Sequence, residues 1–369
     1  MFIQTKYPSL TRFKIEGLSR ERERERRFAL CHILGKIPRK FICHIYYRII
    51  SFENLLISWQ EFLPGKKKRK DVAEFQLHLM DNILALHFDL VNKTYKHGGY
   101  RAFKINDPKP RDIHKASVRD RLLHHAIYRI LYPYFDRKFI FDSYSCRINK
   151  GTHKAMNRFR NFAWIVSKNN TRTAWILKCD IKKFFANIDH KILIEILDKF
   201  IGDSEVLWLL GQIIESFNSK GKVGVGLPLG NLTSQLLINI YMNEFDQFVK
   251  REFKVKYYIR YADDFVILLE EKIDLENLLP KISEFLKDRL KLSLHPDKVY
   301  IKTLSLGIDF LGWIHFPDHR VLRNATKWRM YRRLFDHPTE ETWQSYLGLL
   351  QHGNAWKIKR KIEFDFLDF

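Results

Sequence analysis

Two acidic residues between two apolar strands constrain this chain more than any other feature of its sequence. Residues 255–261 are β-branched and aromatic, and residues 265–269 are apolar. Only a few residues separate the two segments, so the pattern predicts a β-hairpin with Asp263 and Asp264 at its tip. Because successive strand residues point to opposite faces, one of these aspartates faces a site more directly than the other.

A third aspartate stands in a similar position earlier in the chain. Residues 173–179 predict another strand, and Asp180 ends it. A carboxylate at the end of an apolar strand is costly unless it is paired or bound to a metal. If both strands belong to one sheet, Asp180 and Asp263 can share two Mg²⁺ ions, which activate an attacking hydroxyl and stabilise a leaving pyrophosphate. The alternative is a set of ordinary turn aspartates.

A loop of small residues lies between these two motifs. It runs from Gly226 to Gln235 and opens a segment with apolar residues at helical spacing. Small residues permit a close approach to the backbone, and the N-terminus of a helix favours anions. Because this loop lies between the two aspartate motifs, we favour a functional role for the aspartates over a role as ordinary turn residues.

The charge of the chain indicates the class of its partner. Its 369 residues include 65 Lys and Arg against 42 Asp and Glu, a formal net charge of +23, while 46% hydrophobic residues exclude global disorder. This excess predicts a polyanionic partner, most often nucleic acid, with generic basicity as the alternative. One basic run either touches phosphate or forms a solvated loop; it comprises Lys66, Lys67, Lys68, Arg69 and Lys70.

Several classes of protein are disfavoured. The four cysteines are Cys31, Cys43, Cys146 and Cys179, which form no CxxC pair and no disulfide framework. Zinc binding by Cys31-His32 and Cys43-His44 is disfavoured, because adjacent ligands have poor chelate geometry. No apolar run is long enough to span a membrane, and no signal peptide is evident. We therefore expect a reducing, cytoplasmic setting and no membrane partner.

The pattern along the chain predicts an α+β fold. The predicted helices are 52–62, 71–94 and 118–131, the last closed by Pro133. A strand is predicted at 100–105, followed by a turn at Pro108 and Pro110, and the other strands cluster between about 174 and 315. The charge-alternating segment 20–27 predicts a surface helix or a partly disordered extension.

Taken in order, these motifs resemble those of reverse transcriptases across roughly residues 52–356. The series comprises Ile113-His114-Lys115, Arg119-Asp120-Arg121, the segment 142–147, the Asp180 segment, the Gly226 loop, Tyr261-Ala262-Asp263-Asp264, Lys298 and Phe310-Leu311-Gly312. The resemblance implies a right-hand polymerase fold, with fingers at 51–170, a palm with an antiparallel sheet at 171–315 and a helical thumb at 316–369. A basic extension of unknown role, residues 1–50, lies outside it.

The resemblance also implies roles for single residues. Asp180, Asp263, Asp264 and the backbone of Ile181 match the positions that bind two Mg²⁺ ions, with Mn²⁺ as the alternative metal. Lys298 matches a lysine proposed to protonate the leaving pyrophosphate, and a solvated lysine is the alternative. Phe185 matches the aromatic residue that blocks a ribose 2′-OH, and a core phenylalanine is the alternative. The remaining matches are a nucleotide-binding set of Arg111, Lys115, Arg147, Leu229, Gly230 and Gln235, and a primer grip of Leu311, Gly312 and Trp313.

One departure points to a subfamily. Most reverse transcriptases have Pro-Gln-Gly in the loop and Ser-Pro four residues on, whereas this chain has Pro228-Leu229-Gly230 and Ser234-Gln235. In this respect it resembles the reverse transcriptases of diversity-generating retroelements. Such an enzyme copies a template RNA with frequent errors opposite adenines, and the cDNA replaces part of a target gene. The implied partners are template RNA, nascent cDNA, deoxynucleoside triphosphates and a small basic accessory protein in a prokaryotic cytoplasm.

Three alternatives remain open at this point. The first is another prokaryotic reverse transcriptase, retron-like or defence-associated. The second is a catalytically silent RNA-binding scaffold, against which the intact Asp180, Asp263 and Asp264 argue. The third, a group II intron protein, is disfavoured, because few residues follow Trp313 and added DNA-binding and endonuclease domains would need more.

Overall fold

The structure is a computed structural model that describes residues 42, 44–106 and 110–366. The predictions for segment 20–27, for Cys31 and Cys43 and for the turn at Pro108 lie outside these residues. Helices and antiparallel sheets are mixed without regular βαβ alternation, so the α+β prediction is confirmed.

The elements follow one another in this order. The N-terminal part contains α1 (Tyr46–Ile50), α2 (Phe52–Phe62), α3 (Lys70–Leu77), α4 (Leu79–Val91), β1 (Tyr100–Ile105), β2 (Arg111–Ala116), α5 (Val118–Asp136) and α6 (Thr152–Val166). The middle contains β3 (Trp175–Asp180), α7 (His190–Asp198), α8 (Ser204–Glu215), α9 (Leu232–Arg251), β4 (Tyr258–Tyr261), β5 (Asp264–Leu269) and α10 (Lys272–Leu290). The last part contains β6 (Tyr300–Thr303), β7 (Ile308–Phe310), β8 (Trp313–His315), β9 (Arg320–Leu322), α11 (Asn324–Asp336), α12 (Glu340–Leu350) and α13 (Trp356–Phe366).

The first of two compact units is helical. Its described residues are 42, 44–99, 118–130 and 190–217. The carboxylate of Asp203 caps α8 by accepting from the backbone N–H groups of Glu205 and Val206. Its Oδ2 atom also accepts from the backbone N–H groups of Ile45 and Tyr46, at 2.9 and 3.1 Å. One buried carboxylate therefore satisfies the first turns of two helices that are far apart in the sequence.

The second unit contains all the strands found in the described part of the chain. Its described residues are 100–106, 110–117, 131–189 and 218–366. Its largest sheet has the strand order β4-β5-β3-β6, with β3 antiparallel to both β5 and β6. Ile176, Val266 and Leu268 line one face of this sheet and pack with Phe159 and Phe162 of α6. The central strands are thus buried, and their acidic residues, Asp180 and Asp264, lie where the strands end.

A second core lies beneath the three-stranded sheet β7-β8-β9. Trp313 is fully buried there, with Leu322 beside it. The helices α11, α12 and α13 close this core with the apolar residues Met330, Leu334, Leu350 and Ile362. Burial of these side chains attaches the C-terminal helices to the sheet.

Two helix predictions need correction. The segment 71–94 forms two helices, α3 and α4, because the backbone of His78 leaves helical geometry. The side-chain amide of Asn82 donates a hydrogen bond to the Phe75 carbonyl at 3.0 Å across this break. Helix α5 does not stop at Pro133 but continues to Asp136. A proline removes one intrahelical bond, and here the bond from the Tyr132 hydroxyl to Asp136 at 2.9 Å supports the final turn. The predictions of a helix at 52–62 and a strand at 100–105 are confirmed.

Candidate active site

The three aspartates meet at one end of the four-stranded sheet. Asp180, the last residue of β3, stands opposite Asp264, the first residue of β5. Asp263 occupies the turn between β4 and β5, and the preceding Ala262 has a φ of 56°. The predicted hairpin is therefore confirmed. A non-glycine residue in this left-handed region is uncommon and costs some free energy, which surrounding contacts must offset.

Backbone hydrogen bonds fix the positions of two of these aspartates. The N–H of Ile181 donates to the carbonyl of Asp263 at 3.0 Å, and the N–H of His295 donates to the carbonyl of Asp180 at 2.8 Å. The ammonium of Lys298 lies 3.0 Å from Oδ1 of Asp180. The structure thus places Lys298 beside the carboxylates.

The electrostatics of the site favour a bound cation. Burial raises the pKa of Asp263, and the neighbouring Asp180 carboxylate raises it further, while Lys298 and Arg111 oppose the shift. Burial also raises the pKa of Asp264, to about 7, against the opposing charge of Lys178. A cation among these carboxylates would relieve both the desolvation and the mutual repulsion.

Lys178 is a residue that sequence reasoning missed. It is buried, and its ammonium lies 3.0 Å from Oδ1 of Asp264. The signal was a lysine two positions before Asp180 in an otherwise apolar strand, where it must share a face with Asp180. This ion pair distinguishes Asp264 from Asp263, whose carboxylate has no such buried partner lysine in the described part of the chain.

The donor set fits a divalent metal of the magnesium type. Asp180 and Asp263 offer oxygen ligands, the kind that such ions prefer, and the backbone of Ile181 adjoins them through its N–H bond to the Asp263 carbonyl. Among the described residues, no group of three or more His, Cys, Asp and Glu side chains has metal-site geometry. One or two carboxylates suffice as protein ligands where substrate phosphates complete a Mg²⁺ shell.

A second missed residue, Arg260, braces the turn that carries Asp263. Its fully buried guanidinium forms two bonds of 2.7 Å with the carboxylate of Asp246 on α9. It also donates to Ser143 Oγ and to the carbonyl of Ala262, each at 3.1 Å. The signal was again a charged residue within an apolar strand. The brace ties α9 to the residue immediately before Asp263.

The glycine-rich loop is attached to β2 on one side. The N–H of His114 donates to the carbonyl of Leu229 at 3.0 Å, and the Asn231 amide donates to the carbonyl of His114 at 2.8 Å. Gly230 has a φ of 105°, and a Cβ atom there would lie 2.8 Å from Ile113. Because strand residues alternate, Arg111 and Lys115 share the face of Ile113 that meets this loop.

On its other side the loop is attached to the segment after Asp180. The N–H of Leu227 donates to the carbonyl of Phe185 at 2.8 Å, and the N–H of Gly226 donates to the carbonyl of Ile188 at 2.7 Å. Phe184 is buried, whereas Phe185 is only partly covered. The structure therefore brings Phe185, Leu229, Gly230, Arg111 and Lys115 into one connected region. Gln235 follows in the first turns of α9, where it is half-buried.

Arg147 has an internal role in this structure. Its side chain is 5% exposed, and Nε lies 2.7 Å from Asp136 Oδ1. Its other nitrogens donate to the backbone carbonyls of Asp136, Ile140 and Ser143. Contact with an incoming triphosphate stays a prediction, since this guanidinium is already engaged within the protein.

The predicted primer grip lies at the turn between β7 and β8. Leu311 and Gly312 occupy the turn with φ values of 54° and 87°. Trp313 is buried in the second core, so only Leu311 and Gly312 are partly exposed. The three residues adjoin one another as predicted, but Trp313 supports the turn from beneath.

In the basic run after α2, one cation contacts the protein and the other four are exposed. The ammonium of Lys66 donates to the carbonyl of Phe62 at 2.7 Å and so caps α2. Lys67, Lys68 and Arg69 are exposed, and the side chain of Lys70 is 91% exposed. Four of the five cations are therefore accessible to a polyanion.

Comparison with known proteins decides the family. Residues 103–315, more than half of the chain, match the model described as "Reverse transcriptase (RNA-dependent DNA polymerase)". The chain belongs to the reverse transcriptase family. The matched region contains the three aspartates, the glycine-rich loop and the primer-grip turn. This reverse transcriptase has the right-hand polymerase fold, and it is a nucleotidyltransferase of the RNA-directed DNA polymerase class.

Curated relatives of this reverse transcriptase cover part of it. Protein YkfC of Escherichia coli is 26% identical over 283 residues, which are 66% of this chain and 71% of YkfC. The group II intron-encoded protein LtrA of Lactococcus lactis is 25% identical over 293 residues, 60% of this chain and 46% of LtrA. The putative COX1/OXI3 intron 2 protein of Saccharomyces cerevisiae is 22% identical, and the chain spans 30% of it. The chain thus spans less than half of the two intron proteins.

Solved structures give a weaker match. Apo telomerase from Candida tropicalis, truncated from its C-terminal domain, aligns with 67% of this chain and 60% of its own at 16% identity and a TM-score of 0.46. Within the described residues, no helix is long and apolar enough to cross a bilayer.

Proposed function

We propose that this reverse transcriptase copies a template RNA into cDNA with low fidelity, as in a diversity-generating retroelement. The observation that supports the proposal is the position of Leu229 in the glycine-rich loop. Its loop is attached both to the Phe185 segment and to β2, which carries Arg111 and Lys115. The predicted nucleotide-contacting position of the loop therefore has an apolar side chain without a hydrogen-bonding group. A site without such a group discriminates less between correct and mispaired nucleotides.

The chain's own residues have defined parts in this function. Asp180, Asp263 and the Ile181 carbonyl would hold the metal ions, which when bound activate the primer hydroxyl and neutralise the triphosphate. Lys298, beside Asp180, would give a proton to the departing pyrophosphate. Lys178 holds the Asp264 carboxylate beneath the site. Phe185 would exclude a ribose 2′-OH by its bulk.

The partners and regions follow from the same proposal. Template RNA, the growing cDNA and deoxynucleoside triphosphates are the substrates, and a small basic accessory protein assists. We assign residues 51–170 to fingers, 171–315 to the palm and 316–369 to the thumb. The positive charge of the chain supports a polyanionic substrate.

The intron-encoded relatives support a second candidate, a reverse transcriptase of the group II intron type. Both candidates share the polymerase reaction and differ in fidelity. Retron-like or defence-associated enzymes would likewise differ in fidelity from a diversity-generating reverse transcriptase. An error spectrum therefore separates the first proposal from the others.

The polymerase assignment is tested by Asp180→Asn and Asp263→Asn. Either change removes a ligand charge, so we expect DNA synthesis on a primed RNA template to be lost while RNA binding persists. Asp297→Asn is the matched control, because this nearby side chain is 86% exposed and should be dispensable. Extension at the wild-type rate by either mutant would show that the carboxylates are not the catalytic centre.

The fidelity proposal is tested by Leu229→Gln. Restored polar contact should lower misincorporation, most visibly opposite template adenine, by about tenfold for roughly 1.4 kcal/mol of discrimination. Error frequency per template base is read by sequencing cDNA made with the accessory protein. Leu306→Gln, at an exposed leucine, is the control. Absence of an adenine bias in the wild type would favour the group II or retron-like candidates. A bias that Leu229→Gln leaves unchanged would instead contradict the role of Leu229.

A further inference from the structure

A second concave site lies in the unit that contains the sheets. It is a cavity of about 690 Å³, walled by the second half of α6, the β8–β9 hairpin and the loop 351–354. Cavities of this size hold small ligands in many proteins. None of the aspartates of the catalytic centre lines it.

Arg320 crosses one wall of this cavity. Its Nε donates to the carbonyl of His352, and Nη2 donates to Asn157 Oδ1 at 3.0 Å. Nη1 has no hydrogen-bond partner. The backbone confirms the closeness of the loop, since the N–H of Asn354 donates to the Arg320 carbonyl at 2.8 Å. Both acceptors, a backbone carbonyl and an amide oxygen, are neutral, so the charge of this guanidinium is not compensated.

Arg160 brings a second uncompensated cation to the same cavity. It is exposed and forms no ion pair with any described residue. Burial lowers the pKa of Arg320, and the charge of Arg160 lowers it further, which shows that the two cations repel each other. The one acidic residue among the described lining residues is Asp318, which lies 2.7 Å from His319. Two arginines against one carboxylate, which is itself paired with His319, favour an anionic ligand.

An aromatic surface accompanies the two cations. The rings of Phe316 and His319 stack at 4.9 Å with an angle of 16° between their planes. A flat ring surface beside arginines suits a base with an attached phosphate, because bases stack on aromatic rings and guanidinium groups bind phosphate in two-point contacts.

We propose that this cavity binds a phosphate-bearing ligand, with Arg160 and Arg320 on the phosphate and the Phe316–His319 pair available to a base. Two kinds of ligand could supply this phosphate with the same chemistry. It belongs either to a free mononucleotide or to the backbone of a nucleic-acid strand. The site is additional to the polymerase centre, and it adjoins the turn that holds the predicted primer grip, because Gly353 packs directly against Trp313.

The test is a calorimetric titration of the full chain carrying Asp263→Asn, with adenosine monophosphate and inorganic phosphate as probes. The free-nucleotide source predicts saturable binding that Arg160→Gln weakens by about tenfold, since it removes a charge-assisted contact. Arg251→Gln, at an exposed arginine at the end of α9, should change the affinity less than twofold.

A short single-stranded oligonucleotide tests the other source. If the mononucleotide does not bind, but Arg160→Gln weakens oligonucleotide binding and Arg251→Gln does not, the ligand is a strand phosphate. Arg320→Lys adds a second variant that keeps the charge, because Arg320 also holds the 351–354 loop. The proposal is overturned if Arg160→Gln and Arg251→Gln have equal effects on all three probes.

Discussion

At the scale of single residues, two adjacent phenylalanines have opposite environments. Phe184 is 3% exposed and belongs to the core, whereas Phe185 is partly covered beside the glycine-rich loop. The Phe185 carbonyl accepts from Leu227, so its backbone position is fixed relative to that loop. Only Phe185 retains a surface that a sugar could touch.

Phe185→Ala should therefore admit ribonucleotides, because the clash with a 2′-OH disappears. The ratio of deoxyribonucleotide to ribonucleotide incorporation measures the effect. Phe184→Ala is the contrasting variant: it should destabilise the fold by about 3–5 kcal/mol in urea unfolding and leave that ratio unchanged. An unchanged ratio in Phe185→Ala would place the selectivity of the enzyme elsewhere.

The residues that sequence patterns could and could not identify differ in a physical way. Asp180, Asp263 and Asp264 could be placed together because each adjoins a strand with a clear pattern. Lys178 and Arg260 were missed, because their importance depends on partners distant in sequence, Asp264 and Asp246. Arg147 shows the converse, since its motif position does not reveal that four internal bonds engage it.

At the scale of elements, the turn that carries Asp263 is supported from α9. Arg260 joins Asp246 to the Ala262 carbonyl, and the Tyr258 hydroxyl adds a bond of 2.7 Å to the same carboxylate. Ala262 has a φ of 56°, a conformation that needs support. The brace therefore stabilises the backbone that positions Asp263.

Arg260→Lys should lower kcat at least tenfold with little change in the affinity for RNA. A lysine keeps the charge opposite Asp246 but cannot also reach Ala262, and small displacements of reacting groups are costly. Single-turnover extension and RNA binding would be measured in parallel. Ser143→Ala removes a different bond of Arg260 and should cost much less. Equal losses of kcat in Arg260→Lys and Ser143→Ala would mean that Arg260 contributes only to general stability and does not position Asp263.

The elements themselves could be predicted in part. The strands around the aspartates and the helix at 52–62 follow from local periodicity. The break at His78 depends on the Asn82 side chain, and the continuation past Pro133 depends on the Tyr132–Asp136 bond. Strand β2 has little apolar alternation and depends on its pairing with β1. Such side-chain and cross-strand contacts are not visible in periodicity.

At the scale of the whole molecule, both compact units contain a histidine whose pKa is lowered by partial or full burial. Burial lowers the pKa of His125 to about 4 in the first unit and that of His315 to about 4 in the second. The unfolded chain binds these protons near pH 6.5. At these two sites the unfolded state therefore binds more protons between pH 6.5 and 4, so their contribution to stability is lost as the pH falls through this window. Asp264, whose pKa is raised to about 7, contributes with the opposite sign.

Urea unfolding of the wild type and of His315→Gln, each at pH 7.5 and pH 5, isolates the contribution of His315. This residue accounts for on the order of 3 kcal/mol when its titration is complete. His315→Gln keeps a donor for the Phe310 carbonyl but does not titrate, so the change in its free energy of unfolding from pH 7.5 to pH 5 should be less negative than that of the wild type. Identical pH dependence in the two proteins would remove His315 from the explanation.

The net charge of +23 is a property of the whole molecule with a measurable consequence. If it reflects binding to nucleic acid, RNA affinity should fall steeply with salt, because each neutralised phosphate releases counterions. Lys67, Lys68 and Arg69 are exposed after α2, whereas Lys66 caps that helix and is left unchanged. Reversing the three exposed charges to glutamate should reduce the slope of log affinity against log salt by at least about 2 for a single strand.

The matched control separates a local contact from general basicity. Three exposed cations on α10 carry the same total charge; they are Lys281, Lys287 and Arg289. Their reversal should leave the slope nearly unchanged if the run after α2 touches phosphate, and sequence preference should stay the same in both triple variants, since phosphate contacts carry no base information. Equal slopes of log affinity against log salt in the two triple variants would mean that RNA responds to the overall positive charge of the protein and not to a local contact with the run after α2. An affinity independent of salt would mean that the excess of positive charge serves something other than RNA.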